Sequence, residues 1–360
     1  MRLAILTGGG DCPGLNNVIR AILFQAIKKY GDEVLGYLYG WKGPINNLIK
    51  PLTLLDAEGI FNQGGTIIKS SRTNPYKVEG GPQKVIDNLK LNKIDALIAV
   101  GGEDTCGVAD KLFKNFKIPI ICVPKTIDND LNATDQTFGF DTSISIVCDA
   151  LDRLHTTAKS HDRVLVLEVM GRHAGWIATM GGIAGAADYI LVPEEAFDIN
   201  KVAEAIKIRK KEAGYAILVI AEGAKFSAVG GSASDGANEE VLKDQEKDAF
   251  GHVKLGGIGD RLAKAIEEKT GFETRSTTLG HIQRGGSPTA FDRVLGTRYG
   301  LKAVDLVHQK KFGRMVSLQG NKIVDVDVRD AVGTLKTVDK ELYDQTKVFF
   351  GDEIKSMTRV

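Results

Sequence analysis

The sequence predicts an α/β protein with mostly parallel sheets, arranged as two three-layer domains. Three observations support this prediction. Short runs rich in β-branched residues alternate with amphipathic stretches, glycines stand in pairs at the ends of several runs, and there are enough runs for two sheets. A chain of 360 residues is also long enough for two domains that each have an apolar core.

Six apolar runs are predicted to be buried parallel strands, because each is short and continuously apolar. In chain order they are Arg2 to Leu6, Ala96 to Val100, Ile118 to Val123, Val164 to Val169, Tyr189 to Val192 and Ala216 to Ala221. Between several of them the apolar spacing predicts helices, as in Leu15 to Lys29 and Ala109 to Phe116. The stretch from Ala228 to Glu240 is rich in Gly, Ser, Ala and Asn, which predicts a surface insertion or a mobile loop.

The composition argues against several classes of protein. A net charge of +1 gives no indication of nucleic-acid binding or of a basic membrane-binding face. The chain runs from Met1 directly into a predicted strand rather than a signal peptide, and it has no apolar run long enough to span a bilayer. The cysteines at 12, 106, 122 and 148 show no paired spacing, so we expect reduced thiols in a cytoplasmic protein and no cysteine-based metal site.

Three predicted strand ends carry paired glycines. The segments are Gly8-Gly9-Gly10-Asp11, Gly64-Gly65-Thr66 and Gly101-Gly102-Glu103-Asp104. Consecutive glycines let backbone N–H groups converge on an anion, although a tight turn without a ligand explains each pair equally well when it is taken alone. None of the three matches the P-loop or the dinucleotide fingerprint.

The segment after the predicted strand Ile118 to Val123 carries the strongest chemical signal. It reads Pro124-Lys125-Thr126-Ile127-Asp128-Asn129-Asp130. A lysine can bind phosphate, a threonine can hydrogen-bond it, and a carboxylate can accept a proton from a hydroxyl or hold Mg²⁺. Ligands of open α/β sheets bind at the carboxyl ends of the strands, so we predict a phosphate site here.

Four further segments identify a family. They are Gly64-Gly65-Thr66 continuing to Ser71-Arg72, Glu168 to Gly175, Ile220 to Gly223, and Leu279 to Pro288 with the core Gly-His-Ile-Gln-Arg-Gly-Gly. Together with the segments above, their order and spacing resemble the phosphofructokinase family over Arg2 to Gly313. The resemblance implies two Rossmann-like domains with the active site in the cleft between them.

The implied domain boundaries follow from this resemblance. A phosphoryl-donor-binding domain would comprise residues 1–139 and about 257–305. A sugar-phosphate-binding domain would comprise residues 140–256 and about 306–318. Residues 319–360 would form a C-terminal extension that packs on the body of the protein.

The resemblance also implies roles for residues that bind the phosphoryl donor or take part in the chemistry. Asp128 corresponds to the base that takes the proton from the sugar 1-hydroxyl. Thr126 and Asp130 flank it as contacts to the substrate and to the transferred phosphoryl group. Donor contacts are assigned to Gly10 and Arg72. Glu103 stands where the family usually has an aspartate ligand of Mg²⁺, and because it also offers carboxylate oxygens we expect Mg²⁺ to remain the cofactor.

The remaining implied contacts are to fructose 6-phosphate. Met170, Gly171 and Arg172 correspond to sugar contacts, with Arg172 near the transferring phosphoryl group. Substrate contacts are further implied for Glu222, His281 and Arg284. The arginines at 163 and 275 correspond to those that reach the 6-phosphate of a neighbouring subunit, which implies a homodimer or homotetramer.

Two positions bear on the phosphoryl donor. ATP-using relatives have small glycines where this chain has Asp104 and Lys125, and the pair resembles the pattern of pyrophosphate-dependent members. A carboxylate at Asp104 would crowd and repel the α-phosphate of ATP, and the Lys125 ammonium would bind a free terminal phosphate. We therefore expect a reversible pyrophosphate-dependent enzyme of glycolysis and gluconeogenesis.

Three alternatives stay open at this point. The first is an ATP-dependent 6-phosphofructokinase. The second is a non-catalytic regulatory subunit, although the predicted base and glycine segments are all present. The third is a related kinase, or a side activity, that acts on sedoheptulose 7-phosphate.

Overall fold

The computed structural model describes residues 1–227, 242–247 and 253–350, and it describes the side chains of residues 1–227 and 256–350. The chain forms two compact units. Unit 1 consists mainly of Met1–Thr142 and Arg284–Leu335, and unit 2 mainly of residues 143–227, 253–283 and 336–350.

The strands and helices alternate along most of the chain. The strands are β1 (Arg2–Thr7), β2 (Glu33–Tyr37), β3 (Ile49–Leu52), β4 (Ala96–Gly101), β5 (Ile120–Pro124), β6 (Val164–Val169), β7 (Tyr189–Leu191), β8 (Ala216–Ala221), β9 (Leu242–Lys247), β10 (Val253–Leu255), β11 (Thr274–Thr278), β12 (Arg314–Gln319) and β13 (Lys322–Asp327). The α-helices are α1 (Leu15–Leu23), α2 (Lys42–Asn46), α3 (Gly81–Leu91), α4 (Glu103–Phe116), α5 (Phe140–His161), α6 (Trp176–Ala184), α7 (Ile199–Ala213), α8 (Ile258–Thr270), α9 (Ala290–His308), α10 (Val328–Val332) and α11 (Lys340–Thr346). Short 3₁₀ helices lie at Leu54–Ala57, Pro75–Lys77, Gly280–Arg284 and Lys347–Phe349.

Unit 1 is built on a seven-stranded sheet in the order β13-β12-β5-β4-β1-β2-β3. The central strands run parallel, and antiparallel strands β3 and β13 close the two edges. Strands β4 and β5 are buried along their whole length, as expected for parallel strands covered on both faces. The parallel arrangement places the carboxyl ends of β1, β4 and β5 at one edge.

Unit 2 is built on a parallel four-stranded sheet in the order β11-β6-β8-β7. Strands β6 and β8 are fully buried and pair from Val164 with Ala216 to Val169 with Ala221. Helices α7 and α8 supply apolar side chains to the core on this sheet, which includes Val202, Ile206 and Leu262. This register brings the ends of β6 and β8 side by side.

The predicted α/β class with mostly parallel sheets is confirmed, and all six predicted strands are present. Strand β5 begins two residues later than predicted, because Ile118 and Pro119 precede the ladder with β4. Helix α1 ends at Leu23 and continues as a π-helix over Phe24–Tyr30. The predicted helix from Ala109 starts earlier, at Glu103, directly after the paired glycines.

Two of the predicted domain boundaries need correction. Residues 257–283 belong to unit 2, because β11 pairs with β6 and α8 packs against both strands. Residues 306–318 belong to unit 1, because β12 pairs with β5.

The predicted C-terminal extension does not form one body. Strand β13 pairs with β12 in unit 1, whereas residues 336–350 belong to unit 2. The predicted insertion from 228 to 240 lies outside the described residues. Within the described residues, no helix combines the length and the apolar character needed to cross a membrane.

Candidate functional site

The loops that follow β1, β4 and β5 lie next to one another in unit 1. The Gly8 N–H donates to the carbonyl oxygen of Val100 at 2.9 Å, and the Lys125 N–H donates to that of Gly101 at 3.0 Å. These bonds extend the sheet pairing one residue beyond the strands. Backbone hydrogen bonding therefore brings two paired-glycine segments and the Lys125 segment together at one edge.

The glycines at this edge are required by local geometry. Gly9 has a φ of +81°, which side chains with a Cβ rarely adopt. A Cβ added at Gly10 would lie 2.7 Å from Arg284 Nη1, and one added at Gly101 would lie 2.3 Å from the Cβ of Thr105. The loop after β1 is thus kept bare so that a cationic side chain can approach its backbone.

Lys125 lies against this loop in a buried position. Lys125 is only 3% exposed, and its Nζ donates to the carbonyl oxygen of Gly10. Burial is the main cause that lowers the pKa of Lys125; the charge of Arg284 also lowers it, whereas that of Asp11 raises it. Within the described part of the chain no carboxylate forms a salt bridge with Lys125.

Arg284 is the second cation at this edge. Its Nη1 donates to the carbonyl oxygen of Asp11 at 3.4 Å, and its buried Nε has no hydrogen-bond partner among the described residues. Arg284, which we predicted as a fructose 6-phosphate contact, lies in unit 1 beside the glycine loop, and its role stays a prediction. Two buried or half-buried cations facing backbone carbonyls form a site that favours an anion.

The loop after β5 is held by a small network of hydrogen bonds. Asn129 has a φ of +51°, and its Oδ1 accepts from the Thr137 N–H at 3.0 Å. Thr137 Oγ1 donates to the carbonyl oxygen of Thr126 at 2.7 Å, and the Asp128 N–H donates to Thr126 Oγ1 at 3.1 Å. This network fixes the backbone on both sides of Asp128.

Three carboxylates interact at this loop. Asp128 Oδ1 is buried and has no hydrogen-bond partner among the described residues. Burial raises the pKa of Asp130 to about 7, and the negative charges of Asp128 and Glu103 contribute to the rise. A cation or a proton is therefore favoured between these groups.

These groups also bear on whether the site fits Mg²⁺. No cluster of three or more His, Cys, Asp or Glu side chains suited to a metal occurs among the described residues. Mg²⁺ is usually held by one or two carboxylates together with substrate phosphates and water rather than by a complete protein cage. The unpaired Asp128 Oδ1 and the neighbouring charge of Glu103 fit that mode of binding.

Helix α4 begins with the two acidic residues that the sequence assigned to the metal and to donor choice. Glu103 and Asp104 line a cavity of about 270 Å³ together with Asn74, Gly107, Val108, Asp110, Lys111 and Val332. Arg72 is exposed and follows Ser71, whose carbonyl oxygen accepts from the Gly9 N–H at 3.1 Å. The predicted donor contacts all lie in unit 1, at or next to the carboxyl edge of its sheet: Gly10, Arg72, Asp104 and Lys125.

The predicted sugar contacts lie in unit 2, at the ends of β6 and β8. The Glu222 N–H donates to the carbonyl oxygen of Val169 at 2.8 Å, and the Gly223 N–H donates to that of Gly171 at 3.1 Å. Gly171 has a φ of +134°, and a Cβ added at Gly223 would lie 1.9 Å from the Arg172 carbonyl oxygen. Close backbone packing therefore sets the course of the segment Met170 to Arg172.

His281 lies in the 3₁₀ helix Gly280–Arg284 and is exposed, whereas Gln283 in the same helix is completely buried. Gln283 Oε1 accepts from the Met170 N–H at 2.8 Å. Gln283 lies in the motif Gly-His-Ile-Gln-Arg-Gly-Gly, but no role was predicted for it. Its position between two predicted substrate contacts, His281 and Arg284, is the sequence signal that could have indicated one.

The arginines predicted to act in a neighbouring subunit are neighbours in this one. Arg163 Nη2 lies 2.8 Å and Arg275 Nη2 lies 2.9 Å from the same oxygen, Oε1 of Glu273. The Arg275 side chain is 56% exposed. Pairing of β6 with β11 brings the two arginines together, since Arg275 is in register with Leu165.

Comparison with known proteins identifies the family. A model of the phosphofructokinase family matches residues 2–307. The chain is 52% identical to a pyrophosphate–fructose 6-phosphate 1-phosphotransferase of Streptomyces coelicolor, over 98% of this chain and 100% of that protein. It is 46% identical to an ATP-dependent 6-phosphofructokinase of Corynebacterium efficiens, over 98% and 99% of the two chains.

A solved structure shows the same fold. The pyrophosphate-dependent phosphofructokinase of Nitrosospira multiformis superimposes with a TM-score of 0.80 at 22% identity, over 94% of this chain and 86% of that one. The matched family model and the two full-length relatives lead to one conclusion. This chain belongs to the phosphofructokinase family.

Proposed function

We propose that this chain transfers a phosphoryl group from inorganic pyrophosphate to the 1-hydroxyl of fructose 6-phosphate. The products are fructose 1,6-bisphosphate and phosphate, and the hydroxyl proton is released. Pyrophosphate and the bisphosphate are both phosphate compounds of similar transfer potential, so the reaction runs in the glycolytic and the gluconeogenic direction. We place it in the cytoplasm, which is the compartment predicted from the unpaired cysteines.

The observation that carries the proposal is the pair of cations at the bare glycine loop. Lys125 is 3% exposed and forms no salt bridge within the described residues, and Arg284 approaches the same loop. A buried ammonium without a salt-bridge partner is unfavourable, and a phosphate bound at this loop would supply a direct counter-charge. Pyrophosphate is a small ligand that supplies these negative phosphate charges and needs no pocket for a nucleoside.

Asp104 supports pyrophosphate over ATP as the donor. Its side chain lines the 270 Å³ cavity beside Asn74 and Gly107. We infer that a nucleoside attached to the donor phosphate would extend into this cavity. A carboxylate at the entrance repels an additional phosphate and narrows the space. The chain matches relatives named for pyrophosphate and relatives named for ATP along nearly its whole length. We therefore base the choice of donor on Asp104 and Lys125 and test it by experiment.

Asp128 acts as the base in this proposal. Its unpaired and buried Oδ1 can accept the proton of the 1-hydroxyl as the oxygen attacks the phosphorus atom. The hydrogen bond from the Asp128 N–H to Thr126 Oγ1 fixes the backbone that carries this carboxylate. Asp130, with a pKa raised to about 7, reduces the negative charge beside the transferring group when it is protonated.

Glu103 is the residue we assign to Mg²⁺, with donor phosphate oxygens and water as the other ligands. When bound with the donor, Mg²⁺ neutralises charge on the phosphate oxygens. The remaining charge of the transferring group falls to Lys125, Arg284 and Arg172, whose guanidinium forks match phosphate geometry. Gly10 contributes backbone contact to the donor, and Arg72 a cation beside it.

The acceptor sugar is assigned to the residues of unit 2. Met170, Gly171, Arg172 and Glu222 would contact the sugar, and His281 would contact its phosphate end. Arg163 and Arg275 would reach the 6-phosphate bound to a neighbouring copy of the chain, so we propose a homodimer or homotetramer as the active form. The exposed side chain of Arg275 and the counter-ion Glu273 that it shares with Arg163 support this role.

The experiment that tests the proposal measures kcat/KM for pyrophosphate and for ATP with saturating fructose 6-phosphate and Mg²⁺. The proteins are the unmodified chain, Asp104→Gly, Lys125→Gly and the double variant. Asp104→Gly should admit ATP, and Lys125→Gly should reduce pyrophosphate use by about 10- to 100-fold through loss of a buried cation. The double variant should change the ratio most, because neighbouring sites in one pocket are not additive.

Lys117→Gly is the matched control. Lys117 is an exposed lysine at a φ of +56°, a conformation that glycine adopts readily. Its removal should leave the pyrophosphate to ATP ratio unchanged. An unmodified protein that prefers ATP would make the chain an ATP-dependent phosphofructokinase, and a ratio that stays flat across the variants would remove Asp104 and Lys125 as the selectors.

A further inference from the structure

One buried amide in unit 2 joins two of the segments assigned to the acceptor. Gln283 has no exposed surface. Its Oε1 accepts from the backbone N–H of Met170 at 2.8 Å, and its Nε2 donates to Ser143 Oγ at 3.2 Å. Both ends of the amide are therefore used, which is the arrangement that a buried polar side chain requires.

Met170 is the first residue after β6, and its backbone N–H has no hydrogen-bond partner within the sheet. The last ladder bonds at the end of β6 go from the Glu222 N–H to the Val169 carbonyl and from the Leu279 N–H to the Glu168 carbonyl. The next N–H of the chain, that of Met170, is satisfied by Gln283. Without this side chain a backbone donor at the start of the sugar-contact segment would lose its partner.

The segment that follows is sensitive to its starting point. Gly171 has a φ of +134°, and a Cβ added there would lie 2.8 Å from the Ala174 carbonyl oxygen. At the far end, the Gly175 N–H donates to both carboxylate oxygens of Glu194, at 2.9 and 3.1 Å. Residues 170 to 175 are thus held at both ends by side chains from other parts of unit 2.

Gln283 also fixes the segment in which it lies. In the 3₁₀ helix Gly280–Arg284 the His281 side chain is exposed while Gln283 is buried. The bond to Met170 therefore ties the position of the histidine segment to that of the Met170 segment. A single amide sets the relative placement of two groups of predicted substrate contacts.

We infer that Gln283 is a positioning residue for fructose 6-phosphate. It does not touch the sugar but holds the Met170 to Arg172 backbone and the His281 segment in register. This inference rests on the proposed function, since the substrate is the one assigned there. A glutamine suits the position because it offers an acceptor to the Met170 N–H and a donor to Ser143 without burying a charge.

Two variants test the inference. Gln283→Met keeps a flexible side chain of similar length and removes both hydrogen bonds. We expect it to raise KM for fructose 6-phosphate about 10- to 100-fold, since a buried backbone donor loses its partner, while KM for pyrophosphate changes less than about 2-fold. Gln283→Glu has the shape of the amide when protonated, and it then offers both an acceptor and a donor.

The pH dependence of the second variant separates positioning from general damage. At low pH, Gln283→Glu should have a KM for the sugar phosphate near that of the unmodified protein. As pH rises, the ionised carboxylate loses its donor toward Ser143 and becomes a buried charge, so its KM should rise relative to that of the unmodified protein. A pH-independent KM ratio would contradict the inference.

The matched control is Tyr343→Phe. The Tyr343 hydroxyl donates to the Ile190 carbonyl oxygen at 2.9 Å in a buried part of the same unit, so this variant also loses one buried hydrogen bond. A similar loss of thermal stability without a change in KM is expected. If Tyr343→Phe raises KM for the sugar as much as Gln283→Met does, the effect is one of general stability and the inference fails.

The outcome is separable from that of the proposed function. If the unmodified protein uses ATP, the same KM comparison is made with ATP as donor. If the protein shows no transfer at all, calorimetric titration with fructose 6-phosphate replaces the assay. Weaker binding by Gln283→Met than by Tyr343→Phe supports the inference there, and equal binding overturns it. Should Gln283→Met fail to fold, the pH profile of Gln283→Glu decides alone.

Discussion

The two groups of cations assigned to phosphate differ in how the fold treats their charge. In unit 1, Lys125 is 3% exposed and forms no salt bridge within the described residues. In unit 2, the Arg275 side chain is 56% exposed and shares Glu273 with Arg163. A buried charge without a partner costs stability, whereas an exposed ion pair contributes little either way. The buried site in unit 1 therefore lowers the stability of the ligand-free protein. The exposed arginine pair in unit 2 changes that stability little.

The largest effect is expected at the buried edge of unit 1, in Asp128→Asn. The substitution keeps the size of the side chain and removes the acceptor of the hydroxyl proton. We expect kcat to fall by about two to four orders of magnitude with little change in either KM. Steady-state assays in both directions provide the measurement, and retention of more than about a tenth of the activity would exclude Asp128 as the base.

Lys125→Met tests the buried half of the comparison directly. The variant keeps a long side chain and removes the charge, so the free protein should become more stable by about 1 to 3 kcal/mol. The stabilisation that pyrophosphate gives to the unmodified protein should largely disappear. Thermal unfolding with and without pyrophosphate measures both effects. A free variant less stable than the unmodified protein would mean that Lys125 is not an uncompensated charge.

Asp292→Asn shows whether burial alone produces such an effect outside the site. Asp292 is completely buried, its Oδ2 accepts from the Thr142 N–H at 2.8 Å and from Thr142 Oγ1 at 2.5 Å, and its Oδ1 has no partner among the described residues. Burial raises the pKa of Asp292 from its ordinary value of 3.8 to about 6. The folded protein therefore binds this proton more tightly than the unfolded chain does.

The sign of the pH dependence follows from that difference. The contribution of Asp292 to stability is fully present below pH 3.8 and is lost as pH rises through about 6. The side chain of Asp292→Asn is uncharged at every pH. The free energy of unfolding of the variant, relative to that of the unmodified protein, should therefore increase by about 1 to 3 kcal/mol between pH 4.5 and 7.5. Urea unfolding at several pH values measures this. A constant difference would show that the carboxyl is ionised over the whole range.

The smallest effect is expected at the exposed arginines. Arg275→Ala should raise KM for fructose 6-phosphate about 10-fold and change the free energy of unfolding by less than about 0.5 kcal/mol. The control is Arg153→Ala, which breaks another exposed ion pair of unit 2, that with Asp149 at 3.0 Å. It should leave KM unchanged. Equal effects of the two variants would remove the phosphate role of Arg275.

Mixing the variants tests whether Arg275 acts in a neighbouring subunit. Asp128→Asn chains keep Arg275, and Arg275→Ala chains keep Asp128. If Arg275 completes a neighbour's site, subunits exchanged between the two variants should form some intact sites, and activity at low fructose 6-phosphate should exceed the sum of the separate proteins. If the activity after exchange equals the sum of the two separate variants, Arg275 acts in the site of its own subunit.

The sequence predicted most of what depends on local pattern. Continuous apolar runs identified the buried strands, and strand β8 spans Ala216–Ala221 as predicted. The start of α4 was missed, because Cys106 is the one apolar residue in Glu103 to Gly107 that could indicate a helix before Val108. Strand β11 was also missed, since its Thr and Arg residues are partly exposed and it is recognised only by pairing with β6.

The sequence by itself determined the α/β class, the paired glycines and the identity of the predicted contact residues, because strand periodicity and motif spacing are properties of short segments. Only the tertiary structure decided where those residues lie. The end of the 3₁₀ helix Gly280–Arg284 put the Arg284 side chain against Gly10, and β6–β11 pairing put Arg163 and Arg275 on one carboxylate. It also gave Gln283 a role through a bond to Met170, which is 113 residues away. Such contacts depend on which strands pair, and strand pairing is set by the packing of the whole unit.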